Sequence, residues 1–248
     1  MKILLSGYHN PHYLTVTEYI ERAVRCLGHK LIVFNDRDHL IPGRMREGCK
    51  PLHSLSLLAI NRRLLKLAER TQPDLIVVTG GHRITRSGLR KLNQAGFRVV
   101  LWTTDPPKAS DLMLGTAHDY RHVFCQGTEY VEALKNRGVM EPRWLPMASD
   151  PEVHRRVSLL PEEQLRYGSD IVFVGSYYAC RAESMEPLVG FGVSIWGPGW
   201  EHLPAGSPLK PYIRGAHTPP ETWLKIYCAS KIVLSIHARG PEGRFPMY

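Results

Sequence analysis

The sequence lacks any apolar run that approaches membrane-spanning length. Its opening Met1–Gly7 is too short, and too soon broken by glycine, to be the core of a signal peptide. It has no C-x-x-C pair. The five cysteines, Cys26, Cys49, Cys125, Cys180 and Cys228, are odd in number and far apart. That argues against a disulfide framework and a structural zinc site. They are expected as apolar fillers in a protein of the reducing cytoplasm, and no metal is expected. Repeats, low-complexity tracts and recognised nucleic-acid-binding motifs are missing, and the arginines are spread along the chain, so nucleic acid is not an expected partner.

Acidic residues are in the minority. Against 32 Lys and Arg stand 23 Asp and Glu, for a net charge of +9 and a pI near 9.4. Such a balance attracts anions, for instance nucleotide phosphates or an anionic membrane face, although a solvated basic surface is the plainer account. Hydrophobic content of 43% is ordinary for a globular protein of 248 residues, which is room for one large domain or two of usual size.

What the chain does have is short apolar runs that end in glycine or other turn residues and alternate with helical patterns. Strands are expected at Lys2–Gly7, Leu31–Phe34, Asp74–Val78, Arg98–Trp102 and His122–Cys125. Thr15 and Glu18 have the spacing of a capping box, so a helix should begin there, with Ile20, Ala23, Val24 and Leu27 on its apolar face. Further helices are expected over Leu55–Arg70, Thr85–Ala95 and Thr128–Arg137, with Asn35–Pro51 a long loop. Alternation at this spacing means βαβ units and a parallel sheet. Ligands in such sheets bind beyond the carboxyl ends of the strands.

A second α/β pattern opens at Asp170-Ile-Val-Phe-Val-Gly-Ser176, a buried strand closed by a glycine that allows close backbone approach. It continues with a helix near Arg181–Leu188, a strand at Val193–Trp196, a helix over Pro220–Cys228 and a strand at Ile232–Ile236. The expected organisation is an N-terminal Rossmann-like domain over residues 1–150, a linker over 151–169 and a partial C-terminal Rossmann-like domain over 170–248. Function is expected in the cleft between two such domains.

Five blocks resemble the spore-maturation CgeB-like family of glycosyltransferases. They are Trp102-Thr-Thr-Asp-Pro106, Trp144-Leu-Pro-Met-Ala-Ser-Asp-Pro151, the Asp170–Ser176 strand, Trp196-Gly-Pro-Gly-Trp200, and Tyr227 through Ile236-His237. No block is specific alone; their order and spacing carry the resemblance over nearly the whole chain. It implies an α/β protein of two Rossmann-like domains with parallel sheets, the GT-B type. It also implies transfer of a hexose-type sugar from a UDP-, GDP- or dTDP-sugar donor to an acceptor, with no obligatory cofactor or metal. The N-terminal domain would hold the acceptor and the C-terminal domain the donor. The resemblance departs at Gly243–Tyr248, where the family continues into an R-x-F-E segment, so the second domain reads as partial.

Candidate site residues follow. Gly175 and Ser176 are expected at the donor diphosphate, where backbone amides and cations stabilise developing charge. Arg181 and His237 could reach the same anion, as could Arg244; a solvated surface is the alternative for each. Gly197, Gly199 and Trp200 could read and stack a base, or form a rigid turn around a core tryptophan. Asp105 could be a general base or a turn aspartate bonding its own backbone. His9, His12 and His82 lie in loops at strand ends, where imidazole suits a base at neutral pH. The basic charge would suit peripheral contact with an anionic membrane or a membrane-linked acceptor. A non-catalytic nucleotide- or sugar-phosphate-binding protein of the same fold is the alternative function, and an interaction protein without ligand a third.

Overall fold

Among the described residues ten strands build two sheets, and within each sheet every pairing is parallel. The computed structural model describes residues 1–10, 14–103, 112–216 and 219–236. The chain divides into two units, residues 1–148 and 149–247.

In the first unit the strands are β1 (Lys2–Gly7), β2 (Lys30–Asn35), β3 (Leu75–Thr79), β4 (Val99–Thr103), β5 (His122–Cys125) and β6 (Arg143–Trp144). The helices are α1 (Val16–Cys26), α2 (Gly43–Glu47), α3 (Lys50–Thr71), α4 (Arg86–Gln94), α5 (Leu112–Thr116) and α6 (Thr128–Lys135). The sheet order is β2-β1-β3-β4-β5-β6. The order reverses at β1, so the crevice beyond the carboxyl ends of β1 and β3 is the topological switch point where ligands bind in such sheets. Leu4, Ile76, Val78 and Leu101 from the strands pack with Leu64, Leu89 and Met113 from the helices to form the core.

The box at Thr15 forms as its spacing predicts. The Thr15 hydroxyl accepts from the Thr17 amide at 3.2 Å, and Glu18 Oε2 accepts from the Thr15 amide at 2.7 Å. The inner face of α1 differs from the apolar set. Its buried residues are Thr17, Glu21 and Val24, while Leu27 is 71% exposed. Glu21 is drawn inward because it has partners there, described below. The expected loop Asn35–Pro51 contains α2, and α3 starts at Lys50 and not at Leu55. Pro51 sits in the first turn of α3, where its missing N–H costs nothing.

The second unit has β7 (Ser169–Val174), β8 (Val193–Trp196), β9 (Ile213–Gly215) and β10 (Ser230–Leu234), in the order β10-β7-β8-β9. Its helices are α7 (Pro161–Tyr167), α8 (Ala179–Met185) and α9 (Pro220–Ala229). Phe173, Met185, Val193, Ile195, Trp200 and Leu209 form its core. The stretch 151–169, expected as a linker, carries α7. That helix docks on α9, through an ion pair of Glu163 with Lys225 and a 2.8 Å bond from Gln164 Nε2 to the Ala229 carbonyl. Among the described residues no helix is long and apolar enough to cross a membrane.

Candidate functional site

The carboxyl ends of β1, β2 and β3 surround a cavity of about 190 Å³ lined by Tyr8, Thr15, Thr17, Asp36, Arg37, Thr79, His82 and Arg83. Its place is the switch point of the first sheet. Gly7 makes the close approach: a Cβ there would stand 2.7 Å from the hydroxyls of both Thr17 and Thr79. The β1–β2 ladder runs one residue further than β2 itself, with the Asp36 amide donating to the Gly7 carbonyl at 3.1 Å.

Asp36 is 5% exposed, and among the described residues its Oδ1 has no hydrogen-bond partner. Burial pushes its carboxyl above the ordinary carboxylate range, while Arg83, Arg37, His82 and His9 pull the other way. The arginines are held by neighbours. The Arg37 guanidinium lies 3.7 Å from the centre of the Tyr8 ring, a cation–π stack. Arg83 Nε meets His39 Nε2 at 3.4 Å, and His39 Nδ1 meets Ser56 Oγ at 2.8 Å. Burial first, then the Arg46 and Arg83 charges, hold His39 down to about 4. It is therefore neutral at pH 7: Nε2 accepts from Arg83 and Nδ1–H donates to Ser56. Asn61, buried in α3, donates to the Arg83 carbonyl at 2.9 Å and accepts from the Thr85 amide at 3.1 Å, which anchors the loop after β3.

Beside this cavity, His9 Nε2 lies 2.5 Å from Glu21 Oε1, and Glu21 Oε2 is 3.2 Å from Arg25. A neutral His9 that donates Nε2–H to Glu21 keeps its lone pair on Nδ1. A histidine oriented by a nearly buried carboxylate is the arrangement that general-base chemistry uses.

The structure thus places His82 in the cavity lining and His9 close enough for its charge to act on Asp36. Asp105 and His237 lie outside the described residues, as do His12 and Arg244. Asp36, Arg37, Arg83 and Glu21 are functional candidates that reading strand ends for glycine and histidine misses. The signal for Asp36 is that an acid follows β2 directly, at the strand end next to Gly7. The signal for Glu21 is its i+4 spacing from Thr17 on the inner face of α1.

The second unit treats its glycines differently. The Gly175 amide donates to the Trp196 carbonyl at 2.8 Å, and the Gly175 carbonyl accepts from Trp200 Nε1 at 3.0 Å. The one N–H that Gly175 owns is spent on the sheet, so the phosphate contact expected of its amide is not open to it; the next residue, Ser176, is exposed. Gly197, with φ of 131°, packs on the Gly175 backbone, and Gly199 has φ of 87°. Trp200 is 2% exposed, edge-on to Phe173 and Tyr177. This is the rigid turn around a core tryptophan; no ring face is presented for stacking a base. Arg181 donates from Nε to the Ile236 carbonyl and from one terminal nitrogen to the Ser176 carbonyl, both at 2.8 Å. It spans the ends of β7 and β10, where the order of the second sheet reverses. Among the described residues no group of three or more His, Cys, Asp or Glu is placed to hold a metal.

The architecture is similar to solved structures at low identity. The chain aligns over 94% of its length with the trehalose-6-phosphate protein from E. coli bound with UDP-2-fluoro glucose, at 12% identity and a TM-score of 0.65, covering 77% of that chain. It aligns equally far with the alpha,alpha-trehalose 6-phosphate synthase from Burkholderia multivorans, at 13% identity and a TM-score of 0.59, covering 75% of that chain. A third likeness is to the UDP-GlcNAc 2-epimerase from Methanocaldococcus jannaschii, at 12% identity and a TM-score of 0.54, over 94% of this chain and 78% of that one. The fold is of the GT-B type, with two Rossmann-like units of parallel sheet. No protein-family model matches the sequence, and no curated protein matches it.

Proposed function

We propose that the chain is a glycosyltransferase that moves a sugar from a nucleotide-sugar donor to an acceptor hydroxyl bound in the first unit. The CgeB-like blocks name the family we favour for it. The observation that carries the reading is the His9–Glu21 pair beside a cavity at the switch point of the first sheet. Such a pair has a use where a hydroxyl must lose its proton.

His9 Nδ1 would take the proton as the acceptor oxygen attacks the anomeric carbon, and Glu21 would stabilise the imidazolium that forms. The bond from that carbon to the diphosphate breaks, and the nucleoside diphosphate leaves with the electron pair. In the second unit Ser176, with Arg181 behind it, is the favoured contact for that diphosphate. Likeness to proteins described with UDP-2-fluoro glucose and as a UDP-GlcNAc 2-epimerase supports a nucleotide-sugar as the ligand class.

The test is release of nucleotide from UDP-, GDP- and dTDP-sugars by the full chain, with and without candidate acceptors. One donor should be consumed in an acceptor-dependent way. His9→Ala should lower kcat by about 10²- to 10⁴-fold. Glu21→Gln should lower it less and shift the pH profile, as a positioning residue does. A donor altered without any acceptor would point to epimerisation instead. Failure to bind any nucleotide would overturn the proposal.

A further inference from the structure

The cavity of the first unit is specific in size and charge. Its volume is about 190 Å³. That is the scale of one sugar ring, and it lies below the roughly 300 Å³ at which pockets for larger ligands begin. Its ionic lining is unequal: Arg37 and Arg83 face one carboxylate, Asp36. Asp36 is part of that lining, and its Oδ1 atom, buried behind it, has no partner among the described residues. The arginines are braced in place, one by Tyr8 and one by His39, and a fixed guanidinium is suited to phosphate or carboxylate.

No simpler ligand meets these demands together. A bare anion would satisfy the arginines but be repelled by Asp36. A neutral sugar would satisfy Asp36 but leave the arginine excess unused. We propose that the cavity binds a monosaccharide carrying an anionic group, a phosphate or a carboxylate. Asp36 accepts from a ring hydroxyl, and Arg37 and Arg83 hold the anion. This deepens the reading of the first unit as the acceptor side and rests on it.

Calorimetry on the full chain tests it, with glucose, galactose and mannose, their 6-phosphates, their uronates, and inorganic phosphate as probes. At least one 6-phosphate or uronate should bind about tenfold or more tighter than both its parent hexose and inorganic phosphate. A preference for the phosphate or the uronate identifies the anion. Arg37→Gln, a change at an exposed side chain, should remove most of that advantage. Asp36→Asn, nearly isosteric, should abolish the preference over inorganic phosphate. Melting no lower than the parent's in both variants checks that they fold. The proposal is overturned if neutral hexoses bind as tightly as charged ones, if no probe binds below about 10 mM, or if Arg37→Gln changes nothing. Binding of a charged sugar without transfer to it would leave this inference standing and defeat the acceptor reading. Transfer to a neutral sugar with no preference for charge would do the reverse.

Discussion

The first strand of each parallel sheet runs into a glycine, Gly7 at the end of β1 and Gly175 just after β7, and the two are used in opposite ways. After β1, Gly7 lets two threonines close in, and the space beyond it stays open with charged groups around it. After β7, Gly175 is approached by the chain's own backbone at Gly197 and by the Trp200 indole, so the turn is filled. The switch points differ in the same sense: the first holds an enclosed carboxylate, while the second is bridged by Arg181. A glycine at a strand end therefore marks close approach, but what approaches it is decided by residues 10 to 72 positions away.

The most forceful way to break this contrast is Gly197→Ala. Its φ of 131° is strained for any side chain, and the added methyl would overlap the Gly175 carbonyl. Strain and overpacking together should destabilise the second unit by about 3 kcal/mol or more. Urea unfolding reads the loss; a variant as stable as the parent would show that the turn is not filled. Gly7→Ala should cost less, about 1–3 kcal/mol, because two threonine side chains can shift where a carbonyl cannot. Its larger effect should be on ligand binding, since Thr17 and Thr79 line the cavity.

The same contrast explains what can be read from the sequence and what cannot. Strands β1, β5 and β8 have the limits their apolar runs predict, and the Thr15–Glu18 box sets the start of α1. These features depend on neighbours within a few residues. Strands β6 and β9, of two and three residues, have no periodicity to detect. Asn35-Asp36-Arg37-Asp38 reads as a polar turn. Only the pairing of β2 with β1 reveals that Asp36 is enclosed, and that pairing joins residues 28 positions apart. His9 and His82 are legible as loop histidines at strand ends, but their convergence is a property of the sheet order. Trp200 reads equally as a stacking platform or a core ring until Phe173 and Tyr177 are seen against it.

Trp200→Phe sharpens the comparison from the other side. The ring volume is partly kept, and the bond to the Gly175 carbonyl is lost, at a cost of about 1–2 kcal/mol. Nucleotide affinity should stay within about twofold, because a core ring touches no base. A fall of about fivefold or more, the roughly 1 kcal/mol at the low end of base stacking, would return Trp200 to the donor site.

The smallest effect is a pH dependence that belongs to the open cavity. The Asp36 carboxyl is raised by burial, so the native state holds its proton to higher pH than the unfolded chain does. Between the two values the native state binds more protons, and stability falls as pH rises through that window. Asp36→Asn removes the penalty: it should melt above the parent at pH 7, and the gap should close as pH falls to the ordinary value of 3.8. His39 has the opposite sign. Held down to about 4 from 6.5, it is neutral in the native state and charges more readily when unfolded, so stability is lost as pH falls from 6.5 towards 4. His39→Gln should flatten that loss, measured by thermal unfolding between pH 4 and 7. A carboxylate kept at a cost in stability is what a binding role requires and a purely structural one does not. If Asp36→Asn were no more stable than the parent at neutral pH, Asp36 would have to be read as a structural partner of Arg83, and the cavity would lose the group that sets it apart from the filled turn at Gly175.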